Sequence, residues 1–232
     1  MSSANNKSTV PGRFEPSEEA YLAYLKHVLS ISVDDEPLWL RIVPSINVAM
    51  ADNFQRFAFT RNRHLFDEKA GVPVLRAWHY SSLPLILHSC ARDLVRRNEP
   101  ELADRVYFAS VSHTSCDLFP AVALPIRTVC DHPLGAVIGR AEFAEEASLQ
   151  FSSGSTIGNN AGVYPTITGH LLLMPQSSLL GDTQIAGNVV ISRGAVIKDA
   201  GQIKDSIVFE NAGQLTMKPL DANGFAKLSL FR

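Results

Sequence analysis

Residues 167 to 215, ITGHLLLMPQSSLLGDTQIAGNVVISRGAVIKDAGQIKDSIVFENAGQL, carry an aliphatic or aromatic side chain at every sixth position. The marks are Ile167, Leu173, Leu179, Ile185, Ile191, Ile197, Ile203, Phe209 and Leu215, with no miss. A helix repeats its apolar face every 3.6 residues and a strand every 2, so neither uses this spacing. A period of six belongs to a coil that stacks on itself, the hexapeptide type of β-helix, with one inward residue per short strand. Four residues beyond the marks stand Ser177, Thr183, Val189, Ala195, Gly201 and Gly213, small enough for crowded corners, while Leu171 and Ile207 depart from that rule.

Working outward, Leu118, Leu124, Cys130 and Ala136 repeat the spacing but run out of phase with the main series. An insertion between the two runs is required, and the polar, glycine-rich segment from Ser152 to Gly162 has loop composition. A loop leaving a regular solenoid is a usual place for function.

The N-terminal half reads as helical. Ser17 caps a helix opening on Glu18 and Glu19, with Tyr21, Leu25, Val28 and Leu29 on one face. Helices are expected over 37–60 and 74–97, the latter kinked or split by Pro84, and a capping box of Asn98 and Glu101 opens one more through about Ser112. The organisation expected is an α+β chain: a disordered N-terminus over 1–16, an all-α domain over 17–114, the β-helix over 115–220 and a tail without readable period over 221–232.

The 232 residues carry a net charge of −2, which leaves no electrostatic footprint for nucleic acid or an acidic membrane. No apolar run reaches the length of a membrane span, and the polar start has no signal-peptide core. Cys90, Cys116 and Cys130 fit no metal spacing and cannot all pair, so reduced thiols in a cytoplasmic protein are expected.

Two segments carry a family resemblance. Cys116-Asp117-Leu118-Phe119-Pro120-Ala121 and Asp131-His132-Pro133-Leu134-Gly135-Ala136-Val137-Ile138-Gly139 resemble the active-site strip of serine O-acetyltransferases, D-[IV]-H-P-A followed by D-H-A-T-G-[IV]-V-[IV]-G. Asp117 and His132 keep the family's fifteen-residue gap. Tyr164-Pro165, Leu180-Gly181 and Trp78-His79 fall on further family positions, the last on a long helix. The resemblance spans roughly residues 60 to 200 and implies a helical domain joined to a left-handed parallel β-helix, an acetyl-CoA-dependent O-acetyltransferase, and a homotrimer or dimer of trimers.

The chemistry asks for such residues. Acyl transfer to a hydroxyl needs a base near neutral pKa, and His132 is the candidate; a carboxylate must orient the imidazole, and Asp117 is placed for that. Read without the family strip, His132 before Pro133 also fits a turn and Asp117 a strand cap. The resemblance puts Asp131 against the acceptor, with Arg63, Val163 and Tyr164 at other acceptor positions. Val163 replaces the family's carboxylate-gripping arginine, so serine itself is doubtful as acceptor. For the donor the resemblance points to Gly158, Gly162 and Gly181, although the family's closing G-x-P-A element is missing; Arg193, Lys198, Lys204 and Lys218 are candidates for the CoA phosphates and fit solvated surface charges equally well. The zinc-dependent carbonic anhydrases on the same solenoid need two histidines five residues apart, and no such pair exists here, so no metal is expected. Two rival readings stand beside this one: unmodified serine acetylation in cysteine supply, and a non-catalytic solenoid that binds a partner.

Overall fold

The structure, a computed structural model, describes residues 11–232. Its helical part comprises β1 (Arg13–Glu15), α1 (Glu18–Leu29), α2 (Glu36–Phe57), β2 (Phe66–Asp67), β3 (Val72–Arg76), α3 (Leu83–Arg96) and α4 (Pro100–Thr114). Ser17 caps α1, its hydroxyl accepting from the Ala20 amide at 3.2 Å, and Tyr21, Leu25, Val28 and Leu29 are the buried face. Residues 1–10 of the expected disordered N-terminus lie outside the described residues, and Arg13–Glu15 pair in parallel with β3.

Two helix expectations are corrected. Residues 74–97 do not form one helix: β3 and a turn precede α3, and Pro84 sits in its first turn, where the missing N–H costs no intrahelical bond. Asn98 does not cap α4; it takes the left-handed conformation (φ 59°) and closes α3, with the Glu99 amide bonding back to the Leu94 carbonyl at 2.9 Å.

The second part is a parallel solenoid. In chain order its strands are β4 (Asp117–Leu118), β5 (Arg127–Asp131), β6 (Val137–Ile138), β7 (Glu142–Phe143), β8 (Ser148–Ser152), β9 (Thr156–Gly158), β10 (Thr166–Ile167), β11 (His170–Leu173), β12 (Ser178–Leu180), β13 (Thr183–Ile191), β14 (Val196–Lys198) and β15 (Gly201–Asn211), followed by β16 (Gln214–Pro219) and α5 (Ala222–Leu228). Ile167 pairs with Ile185 and Ile185 with Ile203; Leu173 pairs with Ile191 and Leu179 with Ile197. All seven are buried, so three hexads make one turn of coil.

The last two marks fail. Ala186 pairs with Lys204 but Val189 with Ser206, a slip of one residue where Gly187 and Asp205 both take positive φ. Val208 therefore stacks on Ile191, and Phe209 is only partly buried. At Ala212-Gly213, both with positive φ, the chain reverses into β16, which is antiparallel to β15, and Leu215 ends 44% exposed.

The inserted loop is also shifted. Ser152 and Ser155 are buried, and the Ser155 hydroxyl bonds the Ser152 carbonyl at 2.7 Å, so the glycine-rich composition there belongs to a tight corner. The excursion runs from Asn159 to Pro165, pinned by an Asn160–Val163 bridge. In the earlier run Ala136 joins the small corner stack with Ser155, Ser177 and Ala195, and Ile138 takes the inward place beside Leu118. Leu124 is only partly buried.

One apolar core passes from the helices into the solenoid. The segment after Leu220 is structured: Asp221 caps α5, and Leu220 and Phe225 cover the outward-facing Leu172 and Val190. Beyond α5 the chain returns to the helical part, where Thr60 bridges Phe231 and the Arg61 amide bonds the Leu230 carbonyl at 2.6 Å.

Burial holds His88 neutral, its pKa lowered to about 3, with the Arg56 and Arg92 charges adding to the effect. Because the folded pKa lies below the unfolded one, its contribution is present above pH ~6.5 and lost as pH falls toward the folded value. Thermal melts should therefore lose stability below pH ~6.5 at up to about 1.4 kcal/mol per pH unit from this imidazole. His88→Gln should flatten that slope, and an unchanged slope would remove His88 from the account.

Candidate functional site

His132 opens the corner between β5 and β6, which takes two residues more between inward positions (Cys130 to Ile138) than the corner on the next coil (Phe151 to Ile157). It has φ 47°, an uncommon conformation for a residue with a Cβ, and its side chain is 71% exposed. The longer corner thus lifts the imidazole off the solenoid toward the helical part. There the Tyr80 hydroxyl lies 3.3 Å from His132 Nε2, and the two rings stack with centroids 4.6 Å apart and planes 15° apart.

The stack continues. Tyr80 stacks on His79 at 4.7 Å and His79 on His64 at 5.5 Å, a ladder of four rings ending at His132. Burial lowers the His79 pKa to about 4, with charge at His64, Arg76 and His132 reinforcing it, so His79 is a neutral ring at physiological pH. Asp131 Oδ1 lies 3.9 Å from His132 Nε2, beyond hydrogen-bond range but close enough to act on its charge. Arg63 is exposed beside His64.

Asp117 is held elsewhere. The Tyr107 hydroxyl on α4 donates a short bond to Asp117 Oδ1, and no hydrogen bond or ion pair joins Asp117 to His132 among the described residues. Burial, then the carboxylate beside it, raise the Tyr107 pKa, so it remains a donor. Asp117 faces outward on the sheet β4-β6-β9-β12-β14, at one end of a cavity of about 540 Å³ whose walls include Gly139, Arg140, Gly158 and Tyr164. Arg140 stacks over Phe119 at 5.2 Å. A neighbouring cavity of about 320 Å³ shares Arg140 and Tyr164, so the two form one groove.

The sequence candidates therefore divide into two groups. Gly158 and Tyr164 share the groove with Asp117, and Val163, 47% exposed, stands on the excursion beside it. Lys198 lies in the column Gly158–Leu180–Lys198, two strands along the same sheet from Gly158, about 10 Å at ~4.8 Å per strand. Arg193 is exposed on the corner three coils beyond that of His132. Gly162 has φ 85° and open space around it. Gly181 serves packing: at φ 68°, an added Cβ would stand 2.0 Å from Asp199 Oδ1, which also accepts the Asp182 amide at 2.9 Å.

Trp78-His79 lies in the turn before α3 and not on a helix; Trp78 has φ 63°, is 69% exposed and packs edge-on against Tyr24 at 5.8 Å. Sequence reasoning missed Tyr80, Tyr107 and the role of His64. The aromatic run Trp78-His79-Tyr80 was the only local signal for the first of these. The three cysteines are free and buried, and burial raises the pKa of each, Cys116 to about 12, so none is a thiolate nucleophile at neutral pH. Among the described residues there is no group of three or more His, Cys, Asp or Glu positioned to hold a metal ion, and no helix is long and apolar enough to cross a membrane.

Tyr80→Phe keeps the ring stack and removes the hydroxyl from Nε2. For the acyl transfer expected from the sequence, a neutral hydrogen bond contributing about 0.5–1.5 kcal/mol corresponds to a change of about 2- to 10-fold in turnover. A steady-state comparison of kcat with the parent checks this, and a loss as large as that of a His132 variant would make Tyr80 a reacting group.

No protein-family model matches the chain, and no curated protein sequence does. Solved structures do match its fold. Serine acetyltransferase from Neisseria gonorrhoeae superposes with a TM-score of 0.61 and 18% identity, covering 89% of this chain and 81% of that one. Soybean serine acetyltransferase complexed with serine gives 0.57 and 21% identity over 86% and 84% of the two chains. The Brucella abortus strain S19 enzyme in complex with coenzyme A gives 0.51 and 18% over 85% and 75%. The architecture, helical region then parallel β-helix, is thus that of the serine acetyltransferases.

Proposed function

We propose that this protein is an acyl-CoA-dependent O-acyltransferase that moves an acetyl group from acetyl-CoA to the hydroxyl of a small metabolite. The observation that carries the reading is His132, an imidazole lifted on an enlarged corner of a serine acetyltransferase-type solenoid, with Asp131 beside it and a hydroxyl on its Nε2. His132 takes the acceptor proton as the carbon–oxygen bond forms, and the CoA thiol leaves. Asp131 bears on the acceptor. Asp117 orients the imidazole only once the ring turns from Tyr80, so Asp117→Asn is expected to cost less than loss of His132.

Acetyl-CoA fits the groove beside Asp117. Gly139 and Gly158 line it without side chains of their own, Gly162 stands on the excursion after β9, and Lys198 and Arg193 offer charge for phosphates. The solenoid's flat outer face favours a trimer or a pair of trimers, in which a neighbour closes this groove.

The acceptor is distinguished from serine by Val163 and Tyr164, since an aliphatic side chain cannot grip a carboxylate. A second reading, serine acetylation, is favoured by one observation: Arg140 places a guanidinium in the groove beside Tyr164. Steady-state release of CoA thiol against a panel of hydroxy compounds separates the two. Under the main reading serine is a poor substrate and Arg140→Met leaves the best acceptor's KM within about threefold. Efficient serine turnover, with a large KM rise in Arg140→Met, would establish the second reading. Absence of thiol release with every acceptor would favour the partner-binding solenoid.

A further inference from the structure

A cavity of about 180 Å³ lies on a different sheet from the Asp117 groove, where α5 and the last residues fold back over the solenoid. Its walls include Arg61, Arg127, Arg232, His170, Ser148 and Phe225. Three arginines therefore line one small space, the Arg232 guanidinium stacked over Phe66 at 3.5 Å, and no Asp or Glu side chain lines it. Arg232 has Glu68 at 3.8 Å, while Arg61 and Arg127 have no carboxylate within 4 Å among the described residues. Residues 1–10 contain no Asp or Glu and so cannot supply one.

The three cations come from three parts of the chain: the segment after α2, strand β5 and the C-terminal segment. Arg61 Nη1 bonds the Ala226 carbonyl at 3.0 Å and Arg232 Nε the Ala58 carbonyl at 2.9 Å, which draws like charges together at the point where the tail meets the helical part. Arg127 stacks over Phe59 at 5.0 Å, and its Nε is buried without a partner. The buried Ser148 hydroxyl lies 3.0 Å from His170 Nδ1; donating there, it leaves the proton on Nε2 and makes His170 a further neutral donor. Burial and the Arg127 charge lower the His170 pKa, which keeps that tautomer neutral.

We propose that this cavity is a binding site for a phosphate-type oxyanion, which joins the C-terminal segment to the helical part and the solenoid. Clustered guanidinium donors on separate segments match a multiply charged oxyanion with several acceptor oxygens. The volume is below the ~300 Å³ at which small-molecule pockets usually begin, so the site takes a phosphate or a protruding phosphoryl group and not the body of a metabolite. An anion bound only by the folded chain stabilises it in proportion to its occupancy.

Thermal unfolding of the full chain, titrated with inorganic phosphate and with chloride at matched ionic strength, tests this. A saturable rise in Tm with phosphate alone is expected; equal responses to the two salts, or a saturable rise with acetate matching that with phosphate, would overturn the proposal. Arg127→Gln should raise the half-saturating phosphate concentration at least about tenfold, and an unchanged value would also overturn it. If that variant does not fold, Arg61→Gln and phosphorus NMR line broadening on the parent give the same reading, with no broadening counting against the site. Tighter saturation by glycerol 3-phosphate than by inorganic phosphate would identify a phosphoryl group carried by a metabolite; the reverse order would identify the free ion.

Discussion

Replacing His132 by alanine is expected to lower acetyl transfer from acetyl-CoA by roughly two to four powers of ten while the protein melts like its parent. The side chain is mostly exposed and its described partners are the stacked Tyr80 ring, the Tyr80 hydroxyl and a distant carboxylate, so its removal takes little from the core. The loss should fall on kcat, because the imidazole acts on the proton in flight and contributes little to holding either substrate. Steady-state kinetics with the best acceptor, beside a thermal melt, separate the two effects. Near-normal turnover would remove His132 from the reaction and leave Pro133 and the left-handed backbone as features of an ordinary turn.

Ile191→Asp is expected to abolish the cooperative fold. Ile191 is fully buried between Leu173 and Val208 in the inward stack of apolar residues. A carboxylate there must be stripped of water without a partner or take up a proton, at a cost of several kcal/mol, a large part of a domain's stability. Leu215→Asp makes the control. Leu215 carries the same six-residue mark but stands on the exposed hairpin, and its substitution should stay within about 0.5 kcal/mol. Equal melting of the two variants would mean that the register assigned to the coil is wrong.

The contrast between those two positions shows how the sequence carries the fold. Ile167 through Ile203 were legible because each inward residue meets its own equivalent one coil away, so spacing along the chain translates directly into contact. The slip at Gly187 and Asp205 was not legible, since a single residue gained or lost at a corner leaves the apolar spacing intact on paper. The turn chemistry of Ala212-Gly213 could have warned of the reversal, as two positive-φ positions next to each other suit a hairpin. The glycines and serines at 152–155 misled for the opposite reason: a crowded corner and a free loop select the same small, polar residues.

The site divides in the same way. The position of His132 beside Asp131, and the outward-facing place of Asp117, follow from the motif and the strand alternation, which are local properties. Tyr80 on His132 and Tyr107 on Asp117 required the docking of the helices on the solenoid. The first pair is 52 residues apart, and no periodicity connects them. By itself the sequence determined a helical unit followed by a six-residue coil, the inward stack and the candidate base, because each depends on neighbours along the chain or one coil away. Only the tertiary structure decided which hydroxyl meets the imidazole, where the carboxylate is held, and that three arginines share one cavity under the returning tail. Those contacts are set by how separate parts of the chain pack, and a side chain's partner across such a packing surface leaves no spacing to read.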